Sequence, residues 1–127
     1  MVRVLWIVGI YYLASGVLMW TQPQFWYANT PGVAAMGPFN LHFIRDIALV
    51  FGVSGLAILH AARTRSRDVL IVGLGWPALH ALYHLAIWAN RDFAFDMIIL
   101  VNLLGIQLPV WTSLAIAFSM QPKEQNS

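Results

Sequence analysis

The chain has 127 residues, 60% of them hydrophobic and only 9% charged, with a mean hydropathy of +0.70. A soluble domain of this size carries nearer one quarter charged residues, so the composition excludes an ordinary soluble enzyme and implies one compact integral membrane domain. The absence of cysteine excludes disulfides, iron–sulfur clusters, thiolate zinc sites and thiol catalysis, and the pI near 9.4 reflects a few arginines without the basic face that a nucleic-acid partner requires.

Residues 2–20 are almost wholly apolar after Arg3 and end at Thr21-Gln22-Pro23. A signal peptide has a shorter apolar region and a small-residue cleavage site, so the reading is a retained first transmembrane helix, with Gly9, Ser15 and Gly16 as close-packing positions. Residues 21–39 form the one long connection. Its Phe25-Trp26-Tyr27 cluster is of the kind found at the membrane–water boundary, and Pro31-Gly32 and Gly37-Pro38 mark turns, which predicts an interfacial loop.

Asn40 is placed to cap a second span over residues 40–62, with Ala48, Gly52 and Gly55 as small contact positions. His42, Asp46, Leu49, Val53, Leu56 and His60 follow one stripe of that helix. A basic connection, Arg63 to Asp68, leads to a third span over residues 69–89, in which Pro77 predicts a kink just before His80. Asn90-Arg91-Asp92 makes a tight turn into a fourth span over residues 93–118, with Asp96 near its start and Pro109 as a bend; residues 121–127 are a polar tail. The expected fold is therefore an all-α, antiparallel bundle of four transmembrane helices with one longer outer loop.

Four spans place both termini on one side, together with Arg3, Arg63, Arg65, Arg67 and Lys123, while the opposite side offers only Arg91 besides Arg45 inside a helix. The positive-inside rule then makes both termini cytoplasmic, in a bacterial inner membrane.

Ionisable residues within spans are costly and usually face partners or a wet cavity. At 1.5 Å per residue, Asp46 and His84 both fall roughly 9 Å below the outer ends of their helices, with His42, His80 and Asp96 in the same outer half. His60 lies alone at the cytoplasmic end. His-x3-Asp on the second span and His-x3-His on the third offer a candidate metal site of His42, Asp46, His80 and His84, supported by Arg45 and Asp96, for copper, iron, manganese or zinc. The same residues also suit a hydrogen-bonded network that only locks the helices, as in a structural or accessory subunit. A third arrangement sets His42 opposite His80 or His84 as axial ligands of a haem. Quinone or lipid binding, with Trp76, Tyr83 and Trp88 lining an apolar pocket, is a further alternative. The expected partners are the lipid bilayer and other membrane subunits or further copies of the chain, with no nucleic acid.

Soluble-enzyme motifs are absent. Gly73-x-Gly75 lies inside an apolar helix, and Ser15, Ser54 and Ser113 have no local base motif. Phe39-Asn40, His42-Phe43 and Arg45-Asp46, followed by His80 and His84, resemble a set of small bacterial inner-membrane proteins, loosely similar in size and span count to the DoxX-like group. The resemblance covers mainly residues 25–88. It implies the topology and no reaction.

Overall fold

The computed structural model describes residues 1–120, whose regular structure is all helical, with no strand among them. In chain order the helices are α1 (Val2–Thr21), α2 (Pro23–Asn29), α3 (Leu41–Thr64), α4 (Arg67–Gly73), α5 (Gly75–Ala89), α6 (Met97–Asn102) and α7 (Leu108–Ser119). A 3-10 turn at Ala34–Met36 precedes α3, and a π turn at Leu103–Gln107 joins α6 to α7. Three helices are long and apolar enough to cross a bilayer: Val2–Thr21, Leu41–Thr64 and the continuous Met97–Ser119; the bent pair α4–α5 makes a fourth if it counts as one span. The tail expected at residues 121–127 lies outside the described residues.

The tightest packing joins α1 to α3, through glycine. A Cβ on Gly16 would stand 2.8 Å from the Ala48 carbonyl oxygen, and one on Gly55 would stand 2.8 Å from the Leu13 nitrogen and 2.9 Å from the Gly9 carbonyl oxygen. Residue 9 thus meets residue 55 and residue 16 meets residue 48, so the two helices run in opposite directions with their backbones in contact. Such proximity is what small residues supply where apolar burial gives helices no preference for each other over lipid. Gly52 behaves differently from its expected role. Its backbone lies against Gly16, but a Cβ on it would meet nothing within 4 Å.

Local sequence sets the helix ends. The Asn40 side chain accepts from the Phe43 N–H at 3.0 Å, the N-cap the sequence implies, and Arg65 ends α3 in a left-handed conformation with φ 54°. The connection over residues 21–39 is more ordered than a plain loop: it carries α2, whose Trp26 and Tyr27 pack against Met19, Ile44 and Ala48. The Tyr27 hydroxyl then donates to the Gly37 carbonyl at 2.7 Å.

The third predicted span is broken. Between α4 and α5 the axis turns by 45°, at Leu74, upstream of the kink expected just before His80. Proline removes its own N–H and crowds the carbonyl four residues earlier, which for Pro77 is Gly73, so the disturbance appears one turn before the ring. The last span also starts later than residue 93. Asp92 and Phe93 take left-handed φ values of 52° and 54°, and Asp96 caps α6 by accepting from the N–H groups of Ile98 at 3.0 Å and Ile99 at 3.1 Å.

Gly16→Ala and Gly55→Ala each force a methyl group onto backbone atoms of the facing helix. Overpacking of this kind costs about 1–3 kcal/mol, and both variants are expected to lower the thermal midpoint in detergent. Gly52→Ala has open space and is expected to leave it unchanged or slightly raised. Thermal unfolding of the three variants in one detergent checks this, and equal losses at all three positions would contradict the seam.

Candidate functional site

The glycine seam fixes the rotation of α3, and this decides where its polar stripe points. With Ala48 and Gly55 turned toward α1, the stripe His42, Asp46, Leu49, Val53, Leu56 and His60 falls about a third of a turn away and is exposed along its whole length. His42 Nε2 lies 3.2 Å from Asp46 Oδ2, with side chains 90% and 57% exposed, so the two pair with each other along their own helix. They do not reach α5.

His80 and His84 lie on α5, together and half-buried. The His80 ring stacks on Trp76 at 4.5 Å between centroids and 14° between planes, and the His84 ring meets His80 at 4.5 Å. Trp76 in turn touches Phe51 of α3 at 5.7 Å, and Phe51 stacks on Tyr12 of α1 at 5.1 Å. A ladder of rings therefore crosses three helices and ends on the two imidazoles. Neither imidazole has a hydrogen-bond or ion-pair partner among the described residues. Beside the ladder, an open apolar groove of about 620 Å³ runs between α3 and α4–α5, walled by Leu49, Val53, Ala57, Val72, Gly73 and Trp76, with Asp68 at one end.

This geometry overturns the candidate metal site. Among the described residues no group of three or more His, Asp or Glu side chains comes together. His42 and Asp46 face outward from α3, while α5 lies beyond a 45° bend and is bonded to the last span through Gln107. A network locking α3 to α5 through these side chains is absent too: among the described residues His42 and Asp46 pair only with each other, and neither His80 nor His84 side chain makes a hydrogen bond. The two supporting residues have other tasks. Asp96 caps α6 and pairs with Arg91, and that guanidinium, with the Ile99 and Ile98 N–H groups, holds its carboxyl below the usual carboxylate range. Arg45 lies over the Trp20 ring, 5.2 Å from its centroid.

The interhelical polar contacts are elsewhere, in residues the sequence reading passed over. The Gln107 amide donates to the Ala81 carbonyl at 2.9 Å and to Asn102 Oδ1 at 3.0 Å, and its own oxygen accepts from Trp111 Nε1 at 2.7 Å. The Asn102 amide donates to the His84 carbonyl at 3.4 Å. Pro109 cannot donate to the Gly105 carbonyl one turn before it, and the Tyr11 hydroxyl of α1 donates to that oxygen instead, at 2.9 Å. The signal was present: Asn102 and Gln107 are neutral amides inside an apolar run, and buried amides in lipid must bond across helices.

No family model matches the chain, and no curated protein and no solved structure matches it.

Gln107→Leu keeps the volume and the helix but removes three hydrogen bonds and leaves Asn102 and Trp111 without their partner. Individual interhelical bonds in membranes contribute about 0.6–1.7 kcal/mol; a loss of about 1–2 kcal/mol is expected. Thermal unfolding in detergent measures it, and a Gln107→Leu variant as stable as the parent would show that the network carries no load.

Proposed function

We propose that this chain is a four-span antiparallel membrane protein that binds a lipid-like amphiphile from the side, through the groove between α3 and α4–α5. Three to four candidate spans support the membrane setting. The observation that carries the ligand is the pair His80–His84: two half-buried imidazoles without hydrogen-bond partners among the described residues, of which His80 stacks on the Trp76 that walls an apolar groove of about 620 Å³ and His84 meets His80 edge-on. Pockets for small ligands have volumes of roughly 300–1,000 Å³ and combine apolar walls with a few polar groups that fix orientation. On this reading the chain of the ligand lies along Val53, Ala57, Val72 and Trp76. Its hydroxyl or carboxyl head bonds the imidazoles.

The orientation belongs to the same proposal. Arg3, Arg63, Arg65 and Arg67 cluster at the end of the bundle that holds the start of α1 and the α3–α4 connection, which favours cytoplasmic termini in a bacterial inner membrane. The chain has no cysteine, so single-cysteine variants report cleanly. A cysteine in place of Arg65 is expected to resist a membrane-impermeant maleimide in intact cells, and one in place of Ala35 to react with it. The reverse pattern would invert the topology.

A second reading has a partner helix in the groove, and the exposed α3 stripe beside it, polar at both ends, favours this. One experiment separates the two. The purified protein is irradiated with a diazirine-bearing palmitate analogue, alone and with excess unlabelled palmitate. Saturable labelling of groove residues is expected, about tenfold weaker in His80→Leu/His84→Leu, as the loss of one or two buried hydrogen bonds implies. Labelling spread evenly over all lipid-facing residues and insensitive to competitor would sink the ligand reading. Capture of the groove residues by a second protein in irradiated membranes would favour the partner helix.

A further inference from the structure

We infer that Arg45 heads a phosphate-binding site at the α1 C-terminal end of the bundle, separate from the α3–α5 groove. Arg45 lies one turn into α3, about 6 Å along its axis, level with the last turn of α1. It opens on a pocket of about 310 Å³ lined by Thr21, Gln22, Pro23, Gln24, Phe39 and Leu41. A guanidinium at this depth normally has an acidic partner or rises to the headgroup layer. Here the partners are taken. The adjacent Asp46 is drawn round the helix to His42 at 3.2 Å, and Asp96 is held by Arg91, so Arg45 forms no ion pair among the described residues.

Arg45 is nevertheless held in place. Its guanidinium lies over the Trp20 ring, 5.2 Å from the centroid, an arrangement that orients the planar fork without using its N–H donors. The other polar groups around the pocket suit an anion. The carboxamides of Gln22 and Gln24 stand exposed at its rim and carry N–H donors, and the Thr21 hydroxyl hydrogen is spent on the Val17 carbonyl at 2.7 Å. Among the described residues no carboxylate lines it. Phe39 and Leu41 add apolar wall.

One fixed guanidinium with carboxamide donors and no acid nearby matches a tetrahedral phosphate oxyanion, which arginine binds through two parallel N–H···O bonds. The phosphate comes from a membrane phospholipid headgroup or from free phosphate in the water layer, and the site's apolar wall suits the former.

Dioctanoyl phosphatidylglycerol and inorganic phosphate, titrated separately into the purified full chain in mild detergent, distinguish the sources. Native mass spectrometry counts bound lipid, and the shift in thermal midpoint reports either ligand. The expected result is one saturable lipid whose affinity falls about tenfold or more in Arg45→Gln, the loss of a charge-assisted hydrogen bond. Arg45→Lys, which keeps the charge without the fork, is expected to fall between, and Arg65→Gln, at the other end of the bundle, to match the parent. If inorganic phosphate alone binds, or displaces the lipid at millimolar concentration, with the same loss in Arg45→Gln, the site takes free phosphate. Equal affinity of the parent and Arg45→Gln for both ligands, with both proteins unfolding cooperatively, would overturn the inference. Should Arg45→Gln not fold, Trp20→Leu serves in its place, with the same direction expected.

Discussion

The contact on which the rest of the structure depends is the backbone-to-backbone approach of α1 and α3 at Gly9, Gly16 and Gly55. There is no room at Gly16 or Gly55 for a methyl group without displacing main-chain atoms of the facing helix. A seam this close admits only one rotation of each helix about its axis. On α3 that rotation puts Ile44, Ala48 and Ile58 inside and leaves the stripe from His42 to His60 outside. On α1 it directs Tyr12 toward Phe51 and Tyr11 toward the last span. Where the polar side chains of these helices point is therefore a consequence of where their glycines lie.

The second half of the chain meets this pair through two interruptions of regular helix. The break at Leu74 bends the α4–α5 pair by 45°, just beyond the stretch of α4 that walls the groove with α3. The π turn at Leu103–Gln107 has a complementary effect. It disturbs the regular bonding of the last span just before Pro109, and the Gly105 carbonyl there finds a partner in Tyr11 of α1, while the Gln107 side-chain amide reaches the Ala81 carbonyl of α5. Irregular backbone at membrane depth is tolerated when neighbouring helices satisfy it in this way. Here the Tyr11 bond fastens α1, and the Gln107 bond α5, to the last span.

The all-helical class with three to four helices apolar and long enough to span, the Asn40 cap and the glycines of the first span were legible in the sequence because each is a local property: apolar length, one side chain against one N–H, a missing Cβ. The convergence of His42 and Asp46 with His84 was not. It rested on equal depth along straight helices, and depth fixes one coordinate of three. Rotation about the axis is set by Gly16 and Gly55, and the lateral distance by the bend before Pro77. Asn102 and Gln107 were overlooked for a related reason. Histidine and aspartate suggest chemistry, whereas a carboxamide suggests nothing until its position inside an apolar run is weighed, and it is these amides that join the helices.

Set side by side, the polar groups of the spans separate by how they are satisfied. Among the described residues the buried polar side chains are all uncharged: Ser54, Asn102, Gln107 and Ser113, of which the two amides bond across helices. Two carboxylates have partners, His42 for Asp46 and Arg91 for Asp96. Ser113 Oγ and Arg67 Nε make no hydrogen bond, but both atoms are sealed from any incoming molecule. Among the described residues, two places combine a polar group free of side-chain partners with a neighbouring cavity: the imidazole of His80, stacked on the Trp76 that walls the groove, with His84 beside it, and the guanidinium of Arg45 in its pocket. In a medium that offers few hydrogen bonds of its own, an accessible group with no intramolecular partner is where a ligand has most to gain. That criterion, rather than the number of histidines, is what distinguishes these two places from the rest of the bundle.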